Sequence, residues 1–316
     1  MPLRLNQGDP SEARVYYCPH FVAAGLSLFQ NAGVDVEFVR TRSGGDRVKG
    51  GQVPALLRRE ADLTIGGPMV TMRMLQDGEG QLLNFCGVVS ANPWYLVARH
   101  PVPGFTWGML RGRTIVDVAN ITTASLCFRW LLRREGIADG AATIIAGLGD
   151  EAQDFATLRT GAADFAIHSL HALGPWVADG RLSVVSDLAG PTGPIPWSAY
   201  IARPDTIGDR RSELTDFVRA IAAALSWMHA HTSDEIASVI ERYYPGYPRS
   251  ALIEVVDRYR AVAVWPKNPL IPQADFDRFA GILTDVGWLD RPVAYRDQVD
   301  PSLAEAALAS MGANQQ

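Results

Sequence analysis

The feature that most restricts this chain is the period of its apolar residues, which alternates between two and about 3.6 along most of the sequence. Residues 34–40 alternate as a strand, with Val34, Val36 and Phe38 set against Asp35 and Glu37. A short strand at 14–17 and a helix over about 20–31, ended by Gly33, are expected before it. After it, Ser43-Gly44-Gly45 and Gly50-Gly51 lead to a helix at 54–59 and a buried strand at 61–65. Gly66-Gly67-Pro68 then opens a helix at 69–76. Strand and helix in strict alternation favour a parallel sheet with helices on its faces.

Two extended segments, 82–89 and 94–99, flank Ser90-Ala91-Asn92-Pro93 and introduce a second series of the same kind. Strands are expected at 114–118, 142–145, 164–168 and 182–186, with helices at 122–135 and 151–160. An extended segment at 196–202 follows. Beyond it the period is helical at 212–231, 233–243, 249–262 and 273–286, with an amphipathic piece at 302–308. A chain of 316 residues is long enough for two such units, each with its own core.

Charge and cysteine usage remove several classes of function. The net charge is −5 with no Lys/Arg block, whereas a nucleic-acid partner requires a basic face. The longest apolar stretch, 218–228, is interrupted by Arg219 and falls short of the ~20 residues of a membrane span, so no membrane insertion is expected. Residues 1–10 hold no apolar segment of a secretory signal. The expectation is a cytoplasmic protein as the chain stands, or a periplasmic one whose export signal was removed. Cys18, Cys86 and Cys127 are odd in number and widely spaced, which fits neither a disulfide framework nor a zinc site. His168 and His171 have no further ligands near them in sequence, and His229 and His231 point to different helix faces. No metal and no cofactor are expected.

Ligands of parallel sheets bind outside the carboxyl ends of the strands, where helix N-termini offer N–H groups to an anion. The segments so placed are Cys18-Pro19-His20, Arg42-Ser43-Gly44-Gly45, Gly66-Gly67-Pro68, Asn120-Ile121-Thr122-Thr123 and His168-Ser169. Each residue has a plainer reading. Cys18 is a nucleophile only if exposed with a lowered pKa, and otherwise a small core residue. His20 is a ligand contact or base, or simply the start of a helix. Arg42 is an anion fork or a surface charge. Trp94 and Trp197 are aromatic walls or packing, and Thr122 and Thr123 anion donors or plain caps. His171 is expected to face solvent.

The order of elements resembles the solute-binding proteins of nitrate, sulfonate and taurine transporters, a family that includes the thiamine-pyrimidine synthases. The resemblance rests on Gly33-Val34-Asp35-Val36-Glu37, on Ala61-Asp62-Leu63-Thr64-Ile65-Gly66-Gly67, on Leu110-Arg111-Gly112-Arg113-Thr114 and on Leu158-Arg159-Thr160-Gly161-Ala162-Ala163-Asp164. It implies an α/β, two-lobed periplasmic-binding-protein type II fold with a ligand cleft between the lobes. Residues 1–92 with 201–316 would form one lobe and 93–200 the other. The implied ligand contacts are Cys18, His20, Arg42, Ser43, Gly44, Gly66, Gly67, Asn92, Trp94, Asn120, Thr122, Thr123, His168 and Trp197.

Two functions follow from the resemblance. One is capture of a small organic, anionic or aromatic ligand for a membrane transporter permease. The other is a decarboxylase- or desulfinase-like lyase on an aromatic acid, since the fold also hosts such enzymes. Cys18-Pro19 and Gly50-Gly51-Gln52-Val53-Pro54 are similar to segments of the hydroxybiphenyl sulfinate desulfinase, with Cys18 and His20 as the reactive pair. Val48 stands where that enzyme has an arginine, and its catalytic histidine has no counterpart here.

Overall fold

The chain forms two five-stranded sheets joined by two crossings. The computed structural model describes residues 1–6, 14–39, 53–117, 122–147 and 151–313. The first part contains β1 (Leu3–Asn6), α1 (Pro19–Gly25), α2 (Leu28–Ala32), β2 (Val36–Val39), α3 (Val53–Leu57), β3 (Leu63–Gly66), α4 (Pro68–Gln76) and β4 (Leu83–Val89). The first crossing enters β5 (Trp94–Ala98), β6 (Thr114–Asp117), α5 (Thr122–Arg134), β7 (Thr143–Ala146), α6 (Glu151–Thr160), β8 (Phe165–Ser169), α7 (Leu170–Ala178), β9 (Ser183–Asp187) and α8 (Ala189–Thr192). The second crossing returns the chain to β10 (Ser198–Ala202). Helices complete it: α9 (Pro204–Asp209), α10 (Arg211–Ala230), α11 (Ser233–Ile240), α12 (Arg249–Ala261), α13 (Gln273–Asp285) and α14 (Ser302–Ala313).

The strand orders are β2-β1-β3-β10-β4 and β7-β6-β8-β5-β9. Both sheets are mixed, where the alternation favours a parallel sheet. β10 runs antiparallel to β3 and β4, and β5 antiparallel to β8 and β9. Each antiparallel strand is the one entered straight after a crossing, because the chain arrives from the opposite lobe. β10 pairs along its whole length within the first sheet. A lobe boundary between residues 200 and 201 therefore cuts a paired strand.

Hydrogen bonds tie the crossings together. Ser90 N donates to Val264 O at 2.8 Å, and Ile195 N donates to Ser90 O at 3.1 Å. The first lobe's core is organised by α10, whose buried Leu214, Phe217, Val218, Ile221, Leu225 and Met228 recur at three- and four-residue spacing. Phe217 stacks on Phe29 at 5.4 Å and meets Tyr200 edge-on at 4.8 Å. Burying each such side chain contributes about 1.5–3 kcal/mol.

Three local expectations are corrected. The first strand is Leu3–Asn6, and the Val-Tyr-Tyr run read as a strand is a 3₁₀ turn, Val15–Tyr17. The helix over 20–31 is two helices, broken where Ser27 takes φ 57°. α7 went unanticipated, because it carries Gly174 and Pro175 in its interior.

Candidate functional site

The turn after β3 and the first turn of α5, from different sheets, meet between the lobes. Thr123 Oγ1 donates to Met69 Sδ at 3.5 Å. A Cβ on Gly67 would lie 3.2 Å from the Trp197 carbonyl oxygen and 3.9 Å from Thr123 Oγ1, so glycine serves this close approach. Gly67, Thr123 and Trp197, all expected in the cleft, are thus brought together with Met69. Gly66 is the last residue of β3 and pairs with Ala199.

Both helices that begin here point their N-termini at the same place. α4 starts with Gly67 as N-cap and Pro68 in its first turn, and neither α4's cap residue nor its first turn supplies an acidic group. α5 likewise has no acid in its first turn. The N-terminal ends of two helices each carry roughly half a positive charge, and facing ends repel unless an anion lies between them.

One carboxylate stands nearby in sequence. Asp117 ends β6 and is 3% exposed. Burial pushes its carboxyl up to about 6, against a hydrogen bond with Ser125 and the charge of Arg129. Its Oδ1 has no hydrogen-bond partner among the described residues.

Other expected contacts take different roles. Trp94 and His168 are fully buried and lie face to face, ring centroids 4.8 Å apart and planes within 2°. His168 thus covers one face of the indole that was expected to wall the ligand. Asn92 uses its side chain on the crossings: Oδ1 accepts from Trp94 N at 3.1 Å, and Nδ2 donates to Thr192 Oγ1 at 3.3 Å. Thr122 is half-buried at the start of α5. Arg42, Ser43, Gly44 and Asn120 lie outside the described residues.

Cys18 and His20 are both buried. Cys18 is fully buried and burial pushes its thiol well up, whereas a nucleophile needs an accessible thiol with a lowered pKa. His20 is 1% exposed, with its ring among Phe21, Phe38 and Tyr200. Nδ1 lies 3.2 Å from the Tyr200 hydroxyl. Burial lowers the imidazole to about 3, so it is neutral at physiological pH. Helix α1 turns this side chain into the core.

Helix α7 also packs against α12 and the segment leading into it. His171, expected to face solvent, stacks on Tyr247 at 4.9 Å and tilts against Tyr244 at 5.7 Å. Nothing local in the sequence signals this contact. On the other flank Trp130 Nε1, from α5, donates to Asp285 at 3.2 Å. A groove of about 600 Å³ lies against the crossings, lined by Ser90, Ala91, Gly193, Pro194 and Ala263 among others, and none of the expected contacts among the described residues lines it. Among the described residues no His/Cys/Asp/Glu group is placed to hold a metal ion, and no helix is long and apolar enough to cross a membrane.

No protein-family model matches the chain. It is 21% identical over 297 residues to YtlA of Bacillus subtilis, provisionally named a binding protein, covering 92% of this chain and 86% of that one. Its structure is similar to the periplasmic aliphatic sulphonate binding protein SsuA of Escherichia coli: TM-score 0.72, 14% identity, 94% and 96% of the two chains covered. It is also similar to the desulfurization enzyme DSZB, with a TM-score of 0.69, 15% identity and coverage of 98% and 99%. The chain has the two-lobed α/β fold of the periplasmic binding proteins.

Proposed function

We propose that the protein is the ligand-capturing component of an ABC-type import system, which closes its two lobes over a small organic anion and presents it to a membrane permease outside the cytoplasmic membrane. The observation that carries this reading is the meeting of α4 and α5. They belong to different lobes, yet their N-termini converge at Gly67, Met69 and Thr123. Closure is what brings two positive helix ends together, and an anion bound there favours the closed form.

The lobes of this reading are the expected 1–92 with 201–316, and 93–200, with the second boundary moved ahead of β10 (Ser198–Ala202) so that the strand stays whole in the first lobe, and the hinge lies at the crossings around Ser90 and Ile195. The likeness to a sulphonate-binding protein makes sulfonates the first ligands to test, with aromatic carboxylates next. Arg42, Ser43, Gly44 and Asn120 remain proposed contacts. The lyase alternative requires a thiolate at Cys18 and a titrating His20, and burial opposes both.

Thermal melts and small-angle scattering with ethanesulfonate, benzenesulfonate and benzoate, with benzylamine as a cationic control, test the reading. At a hundred times Kd a true ligand stabilises by about 2.7 kcal/mol. An anion should raise the melting temperature and contract the protein, and Thr123→Val should weaken it about tenfold through loss of a charge-assisted hydrogen bond. Saturable binding of benzylamine with no response to any anion overturns the proposal.

A further inference from the structure

Helix α7 carries two residues that a helix interior disfavours, Gly174 and Pro175. Proline has no N–H, so the His171 carbonyl, four residues earlier, lacks its helical donor. The Tyr247 hydroxyl, from the other lobe, takes that place and donates to His171 O at 2.5 Å. Glycine explains how it can reach. A Cβ on residue 174 would lie 2.4 Å from Tyr247 Oη and 2.6 Å from Val255 Cγ2, closer than side chains pack.

The neighbouring donor is matched in the same way. His171 N donates to Tyr259 Oη at 3.1 Å. Its ring stacks on Tyr247 with 18° between the planes. Tyr244, against the same imidazole, is anchored within the first lobe by its hydroxyl, which donates to Arg14 O at 3.1 Å. One residue of the second lobe is therefore gripped at its N–H, its carbonyl and its ring by three tyrosines of the first.

We infer that the Gly174-Pro175 notch and Tyr247 form a latch that engages when the lobes close and sets how much of the protein is closed. The inference rests on the binding-protein reading for its hinge, but its test does not. Tyr247 precedes α12, and Ala263 and Val264 follow it at the crossing. The 13 residues of α12 make it about 20 Å long, and His171 lies alongside it, held by Tyr247 from before its first turn and by Tyr259 in its last. A displacement of about 1–2 Å at His171 as the lobes separate is enough to break both hydrogen bonds.

Tyr247→Phe keeps the stacked ring and removes only the hydroxyl, so it tests the latch without disturbing the core. In ligand-free protein it should speed amide hydrogen exchange at the start of α7 about fivefold. It should also enlarge the radius of gyration, with helix content unchanged by circular dichroism. Gly174→Ala is the second variant. Alanine is the better helix former, so α7 itself is not weakened while docking of Tyr247 is blocked, and the same two changes should appear. If Tyr247→Phe matches the parent in both exchange and radius, the latch is overturned. If the parent binds no anion but the variants still open, the latch stands and the proposed function falls.

Discussion

The indole of Trp94 and the imidazole of His168 lie parallel, 2° apart in plane at 4.8 Å between centroids, on the adjacent strands β5 and β8. Both rings are fully buried, and Trp94 Nε1 has no hydrogen-bond partner among the described residues. The pair fills the second lobe just where the chain enters it from the first crossing. Trp94→Ala should cost about 3–5 kcal/mol in urea unfolding, as large aromatic deletions do. Trp94→Phe should cost much less, because it also removes the unpaired N–H, and it should leave anion affinity unchanged. A large loss of affinity in Trp94→Phe would return the indole to the ligand site.

His20 predicts acid sensitivity. Its folded imidazole is lowered to about 3, whereas an unfolded one titrates near 6.5. Between those values the unfolded chain binds the extra proton, so stability is lost as pH falls from about 6.5 towards 3. The slope from this group approaches about 1.4 kcal/mol per pH unit. His20→Asn retains a polar neighbour for Tyr200 and should flatten the slope of unfolding free energy against pH in that window.

Asp117 acts with the opposite sign. Its folded carboxyl is raised to about 6, above the 3.8 of an ordinary aspartate, so its contribution is fully present below about 3.8 and is lost as pH rises through 6. Asp117→Asn should therefore stabilise the protein by about 3 kcal/mol at pH 8 and by almost nothing at pH 4. Chemical denaturation at the two pH values measures the difference, and an equal effect at both would show that its charge is not the cause.

The thiols give a direct check on the chemistry. Cys18, Cys86 and Cys127 are all fully buried, and burial raises each thiol. Native protein should react with iodoacetamide slowly at all three, whereas urea-unfolded protein should label all three rapidly. Cys18→Ser should leave anion binding intact. Selective, fast labelling of native Cys18 would restore the lyase.

Periodicity made most of the fold legible. The strands at 34–40, 61–65, 82–89 and 114–118 and the long helix at 212–231 match β2, β3, β4, β6 and α10 to within a few residues. Each of these buries an apolar face that its own sequence displays. What periodicity missed depends on partners far along the chain. Leu3–Asn6 offers only two apolar residues and is a strand because β2 and β3 flank it. α7 was hidden by Gly174 and Pro175, whose purpose appears only with Tyr247, paired to His171 across 76 residues. In the site, Gly67 and Thr123 could be singled out as strand-end loops. Their meeting could not, and neither could the turning of His20 into the core, which α1 decides by its orientation.

The position of β10 inside the first sheet has a consequence for synthesis on the ribosome. Among the described residues β4 is an edge strand paired along a ladder with β10 alone, with a single further bridge from Asn84 to Val299, and β10 is also what joins it to β3. All five strands of the second sheet, β5 to β9, are translated before residue 198. The second lobe can thus complete its pairing while β4 still waits with an open edge, exposed to aggregation until the chain has emerged through Ala202. The lobe that begins first is the one that finishes last.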